Sequence, residues 1–125
     1  MAIPDPDGLN DTVNINLKFA NGSIGSISYF SNGSKDMPKE HVEVYSAGLT
    51  GIIRDFKVLE IHSTGKPHRK KTLVQDKGQP CMVRAFINKI KEGGLPLIPA
   101  DEIFSVTRTT FAVLESLRTH QAVSL

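Results

Sequence analysis

Between Ser31 and His41 the chain gathers hydroxyl, amide, ammonium and imidazole groups in one polar stretch, SNGSKDMPKEH. Ser31, Asn32, Ser34, Lys35, Lys39 and His41 supply the donors that a small hydroxylated or anionic ligand requires. Two descriptions fit such a stretch: a binding loop over a sheet, or a solvated connection that lets the chain reverse. It lies between two strand-like segments, ending in ISYF and beginning with HVEVY.

Other candidate chemistry is sparse. No G-x-G-x-x-G and no G-x-x-x-x-G-K-[ST] occurs, so the chain carries no dinucleotide or phosphate-loop fingerprint of its own. His41, His62, His68 and His120 lack metal-ligand spacing, and the single Cys81 has no partner, so no metal site is expected. GKPHRKK, from Gly65, is a short basic cluster; it reads as a solvated hairpin tip or, less simply, as a phosphate-binding patch. No aromatic residue interleaves it, which argues against single-stranded nucleic acid. Cys81 falls in the first turn of an expected helix with no base nearby, and reads as a buried spectator thiol. Asn21-Gly22-Ser23 and Asn32-Gly33-Ser34 match the glycosylation sequon, yet the turn reading of both is stronger.

Composition bounds the class. A chain of 125 residues is one domain's worth, with 39% hydrophobic and 22% charged residues. Fifteen basic against thirteen acidic residues leave +2, too balanced to argue for nucleic acid or a membrane surface. No apolar run approaches the ~20 residues of a spanning helix. The start, MAIPDPDGLN, has neither a basic nor an apolar signal region, and the lone cysteine suits a reducing compartment. A cytoplasmic location is therefore expected. Residues 1–10 read as a linker or tail.

The elements that must position these groups follow from periodicity. Val13, Ile15, Leu17 and Phe19 alternate with polar residues, as in a half-buried strand. Asn21-Gly22 predicts a tight hairpin turn, and Ser23–Phe30 a returning strand in which Gly25 marks a bulge or a close approach. Further strands are predicted over His41–Ser46, Ile52–Ile61 and Lys70–Gln75. The period then changes. Pro80 opens a helix whose stripe is Val83, Phe86, Ile87 and Ile90, ended by Gly93-Gly94. A second helix begins near Asp101, with Ile103, Thr107, Thr110, Leu114 and Leu117 along one stripe. This predicts an α+β fold: an antiparallel sheet of about five to six strands with two C-terminal helices on one face.

Three ordered segments carry a resemblance. DTVNINLKFANGSIGSISYFSNGS, PKEHVEVYSAGLTGIIRDF and the closing FSVTRTTFAVLESLRTHQAVSL together resemble the C-terminal domain of the Gfo/Idh/MocA family of NAD(P)-dependent oxidoreductases. YFSNGSKDMPKEHVEVY also resembles the last part of two-part members fused to a zinc-alcohol-dehydrogenase-like half. The resemblance spans residues 11–125 and implies a C-terminal sheet domain whose Rossmann partner is absent from this chain. It implies NAD or NADP for the full-length parent, with no cofactor held here. The family's E-K-P motif and catalytic Asp/His pair belong to that absent part. Gly65-Lys66-Pro67 lacks the acidic residue, follows the strands, and inherits no catalytic role.

In that family the C-terminal sheet lies beside the nicotinamide crevice, so a loop at its edge can touch substrate. The resemblance therefore makes Asn32 and Lys35 the foremost contact candidates, with Ser31, Ser34, Lys39 and His41 beside them. It implies a segment that is inactive by itself, faces a sugar, inositol or similar hydroxylated substrate, and associates into a homodimer or larger assembly. Adjacent apolar residues, Ile52-Ile53, Val58-Leu59 and Tyr29-Phe30, point the same way, since neighbours in a strand face opposite sides. A sheet apolar on both faces needs a second covering layer. The alternative is a free-standing α+β ligand-binding or homo-oligomerisation module.

Overall fold

The computed structural model describes residues 11–125; residues 1–10, expected to be a linker or tail, lie outside the described residues. Six strands precede two helices: β1 (Thr12–Lys18), β2 (Ile24–Phe30), β3 (His41–Ser46), β4 (Leu49–Arg54), β5 (Val58–His62), β6 (His68–Lys71), α1 (Gln79–Glu92) and α2 (Ala100–Thr119). Every strand pair is antiparallel, and the fold is α+β. The strands form two sheets, β1-β2 and β3-β4-β5-β6. The described residues form two compact units: 11–33 together with Gly94–Leu125, and Ser34–Gly93.

In the β1-β2 hairpin, Val13, Ile15 and Leu17 share a face with their partners Tyr29, Ile27 and Gly25. Asn14 and Asn16 face the other way, where Ser26 Oγ donates to Asn16 Oδ1 at 2.8 Å. The turn differs from the expected two-residue form. Gly22 N–H bonds Phe19 C=O and Phe19 N–H bonds Ser23 C=O, and of the loop residues only Gly22 has positive φ, 86°. This is a three-residue loop closed by a left-handed glycine, with the Asn21 side chain accepting from Ser23 N–H. Gly25 makes no bulge, because the register runs unbroken through it. The Phe19 ring packs against it, its Cε2 3.7 Å from where a Cβ would stand, an ordinary contact distance.

The four-stranded sheet corrects one boundary. The predicted strand Ile52–Ile61 is two strands, β4 and β5, reversed at Asp55-Phe56. Both residues take left-handed φ, 51° and 50°, and Lys57 N–H closes the turn on Arg54 C=O at 2.9 Å. No glycine or proline marks this reversal, which is why periodicity reads through it. The last strand ends at Lys71, one backbone bond from Thr72 to Lys57 prolongs its ladder, and residues 73–77 leave the sheet instead of continuing the predicted strand. The β3-β4 connection is the primed two-residue turn that hairpin twist favours, with φ of 47° at Ala47 and 80° at Gly48.

Register sorts the strands into two unlike faces. One carries His41, Glu43 and Tyr45 of β3, Arg54 of β4, Glu60 and His62 of β5, and Arg69 of β6. The other carries Val42, Val44, Leu49, Ile53, Leu59 and Ile61. The expectation of two apolar faces is thus revised. Ile52 and Val58 are apolar islands on a charged face, because the pleat sends their neighbours Ile53 and Leu59 to the opposite side. The apolar face is open, with Val44 59% exposed.

α1 begins after Gly78, with proline in its first turn, and ends at Gly93, whose N–H bonds Lys89 C=O. Its stripe of Val83, Phe86, Ile87 and Ile90 is exposed. α2 places Asp101 and Glu102 in its first turn and Arg118 in its last, both favourable to the helix dipole.

Alanine in left-handed conformation costs about 1–2 kcal/mol. Ala47→Asn, the residue preferred at that turn position, is therefore expected to raise Tm by about 4 °C, the shift roughly 1 kcal/mol produces at this size. An unchanged or lowered melting temperature would contradict the turn geometry.

Candidate functional site

The strained β4-β5 turn forms one wall of an open cleft of about 410 Å³. Asp36–Glu40 forms another wall, and Gln75 and Lys77 a third. Backbone bonds assemble it. Asp55 N–H donates to Glu40 C=O at 2.7 Å, and Thr72 N–H to Lys57 C=O at 2.8 Å; each extends a sheet ladder by one rung. Asp76 N–H donates to Phe56 C=O at 3.1 Å. At about 1 kcal/mol each, such bonds offset the cost of holding Asp55 and Phe56 left-handed.

Four charged residues of the cleft form two pairs. Lys57 Nζ lies 2.9 Å from Asp55 Oδ2, and Gln75 Nε2 donates to Asp55 Oδ1 at 2.5 Å. Lys77 Nζ donates to Glu40 Oε1 at 2.6 Å and sits 5.5 Å from the centre of the Phe56 ring, a cation–π contact. The other Glu40 oxygen, Oε2, is enclosed and meets no donor. Asp55 is only 15% exposed, and Lys57, helped by the Gln75 side chain, holds its carboxyl below the ordinary value of 3.8.

The charged sheet face adjoins this cleft through the His41–Arg54 pair. Glu43 accepts from Tyr45 Oη at 2.8 Å and lies 2.9 Å from His41 Nε2. His41, then Tyr45, lowers the Glu43 pKa, while Glu43 raises that of Tyr45. Glu60 Oε2 accepts from Arg54 Nη1 at 2.7 Å, and Glu60 Oε1 lies 3.2 Å from Arg69 Nε. Arg54 first, then Arg69 and His62, holds Glu60 below the usual carboxylate range.

The expected contact residues have separate fates. Ser31 and Asn32 follow β2 in one unit, whereas Ser34, Lys35, Lys39 and His41 belong to the other. Ser34 is spent on a local turn, its Oγ accepting from Asp36 N–H at 3.3 Å. Lys35 forms no ion pair among the described residues. Lys39 lines the cleft, and His41 opens β3 on the charged face. Sequence reasoning missed Glu40, Asp55, Lys57, Gln75 and Lys77. The acidic residue closing the apolar run at Arg54-Asp55 was the one signal available.

Among the described residues no group of three or more His, Cys, Asp or Glu is placed to hold a metal ion, and no helix is long and apolar enough to cross a membrane. Cys81 is free but exposed, not buried as expected, because its helix turn is left uncovered. No family model, curated protein or solved structure matches the chain.

The lowered carboxyls carry a pH signature. A depressed folded pKa means that the unfolded chain binds the proton more readily, so stability is complete above the unfolded value and is lost as pH falls through the folded one. For Asp55, Glu60 and Glu43 that window opens near the ordinary values of 3.8 and 4.5 and extends below them. Asp55→Asn keeps a residue tolerant of positive φ but removes the charge. Melting curves from pH 7 to pH 3 are expected to show a smaller acid-induced fall for this variant than for wild type. Parallel curves would exclude Asp55 as a contributor.

Proposed function

We propose that this chain is the substrate-side and assembly portion of an NAD(P)-dependent oxidoreductase acting on a sugar, inositol or similar hydroxylated substrate, with the nicotinamide bound by a partner domain of Rossmann type. The family assignment rests on the three ordered segments and their resemblance. The structural observation that supports a binding role is the cleft between Asp36–Glu40 and the β4-β5 turn, which holds Lys39 from the expected loop. Its ammonium groups donate and its carboxylates accept, so a ligand hydroxyl, which does both, fits either partner.

Assembly is supported by the other face of the same sheet. Val42, Val44, Leu49 and Ile61 form an exposed apolar surface on a strand framework already fixed by its ladders. Surfaces of this kind mark contacts with protein. In this reading the sheet divides its labour, ligand at the loop end and association on the apolar face.

The test combines two titrations of the same protein. Calorimetry with NAD(H) and NADP(H) is expected to show no heat, because nothing in the chain supplies the glycine-rich turn before a helix. NMR titration with myo-inositol and a panel of hexoses is expected to move the signals of Lys39, Gln75 and Lys77. Nicotinamide binding tighter than about 100 µM, roughly 5.5 kcal/mol, or a cleft that responds to no polyol, would contradict the proposal.

A further inference from the structure

Arg54, Glu60 and Arg69 share one face of three successive strands, Arg69 directly opposite Glu60 and Arg54 diagonal to it, yet none of them lines the cleft. Glu60 sits between two guanidinium groups and is only 16% exposed, while the arginines are 45% and 62% exposed. Each guanidinium spends one nitrogen on Glu60: Nη1 of Arg54 and Nε of Arg69. Arg54 Nη2 and both terminal nitrogens of Arg69 remain as donors, because a guanidinium carries five N–H groups in a fixed fork. Lys71 lies on the same face, and His62 Nε2 is 3.8 Å from Glu60 Oε2. Together with His41, Glu43 and Tyr45 these are the titratable groups of that face. Its fixed cations outnumber its carboxylates.

Edge protection explains part of this charge but not its centre. β6 is an edge strand, and basic residues along an edge discourage pairing with another chain. His68 and Lys70 serve that purpose equally well from the opposite face. Arg54 and Glu60 stand on the inner strands β4 and β5, which have no edge to protect. A carboxylate placed between two arginines fixes both forks at one orientation. Such forks match the oxygens of a tetrahedral oxyanion, and each charge-assisted bond is stronger than a neutral one.

We propose that the Arg54–Glu60–Arg69 cluster is a phosphate-binding site, with Glu60 acting as a positioning residue that holds the two guanidinium forks. The site takes the phosphate group of a phosphate monoester or free inorganic phosphate. It is independent of the cleft and of the oxidoreductase reading. Glu43 and Glu60 disfavour a larger polyanion, so the ligand is a single phosphate group, not a nucleic-acid backbone.

The test is an NMR titration of the whole chain with inorganic phosphate and with glycerol phosphate at low ionic strength, following the Arg Nε–H signals. Saturable binding in the millimolar range is expected, with Arg54 and Arg69 the responding arginines; the tighter of the two ligands identifies the source. Arg54→Met or Arg69→Met is expected to weaken binding about ten-fold, the loss of one charge-assisted bond. Arg54→Lys keeps the charge and the exposed position yet loses the fork, and is expected to weaken binding as well. Lys70→Met, on the opposite face, is expected to change affinity less than two-fold. Circular dichroism identical to wild type confirms that each variant is folded. Non-saturable shifts, or equal losses in the Arg54→Lys and Lys70→Met variants, would overturn the site in favour of a diffuse basic edge.

Discussion

The alternation of side chains across the β3–β6 sheet governs everything built on it. Because successive residues face opposite sides, the row Glu43, Ile52, Glu60 and Arg69 lies across one face, and Val44, Gly51 and Ile61 make the adjacent row on the other. A slip of one residue in β4 would exchange Arg54 with Ile53 and break both at once. Two turns pin that register. Ala47-Gly48 fixes β3 against β4, and Asp55-Phe56 fixes β4 against β5. Each holds residues other than glycine at positive φ, so the register carries a backbone cost that the ladders and side-chain ties must outweigh.

Those ties converge where the strain is greatest. Phe56 is a bulky residue in left-handed conformation, an uncommon state. Its carbonyl receives Asp76 N–H, and its ring lies under Lys77. The same segment brings Gln75 to Asp55 and Lys77 to Glu40. One short stretch after β6 therefore closes the cleft, steadies the turn and leads into α1. Local strain and cleft geometry are coupled here. A change that relaxes the turn also moves the donors of the cleft.

How much of this was legible varied with the range of the interaction. The β1-β2 hairpin was visible because its alternation is local and its loop contains Asn21-Gly22, although only Gly22 adopts positive φ. The helix over Gln79–Glu92 was visible from Pro80, its 3.6-residue stripe and Gly93. The reversal at Asp55-Phe56 was not, since IIRDFKVLEI has strand composition throughout and the turn is held by contacts from Glu40 and Asp76. The cleft was equally hidden, because Glu40 and Lys77 meet across 37 residues. The basic cluster was seen as a hairpin tip; only strand pairing shows Arg69 facing Glu60 while Lys70 faces away.

Association, as proposed, would use only one surface of the two-faced sheet. Methyl NMR across a dilution series from hundreds to a few micromolar separates the faces in a single experiment. Val42, Val44, Leu59 and Ile61 methyl signals are expected to shift and sharpen on dilution, while Ile52 and Val58 on the charged face stay unchanged. Concentration-independent spectra, or changes confined to Ile52 and Val58, would contradict association through the apolar face.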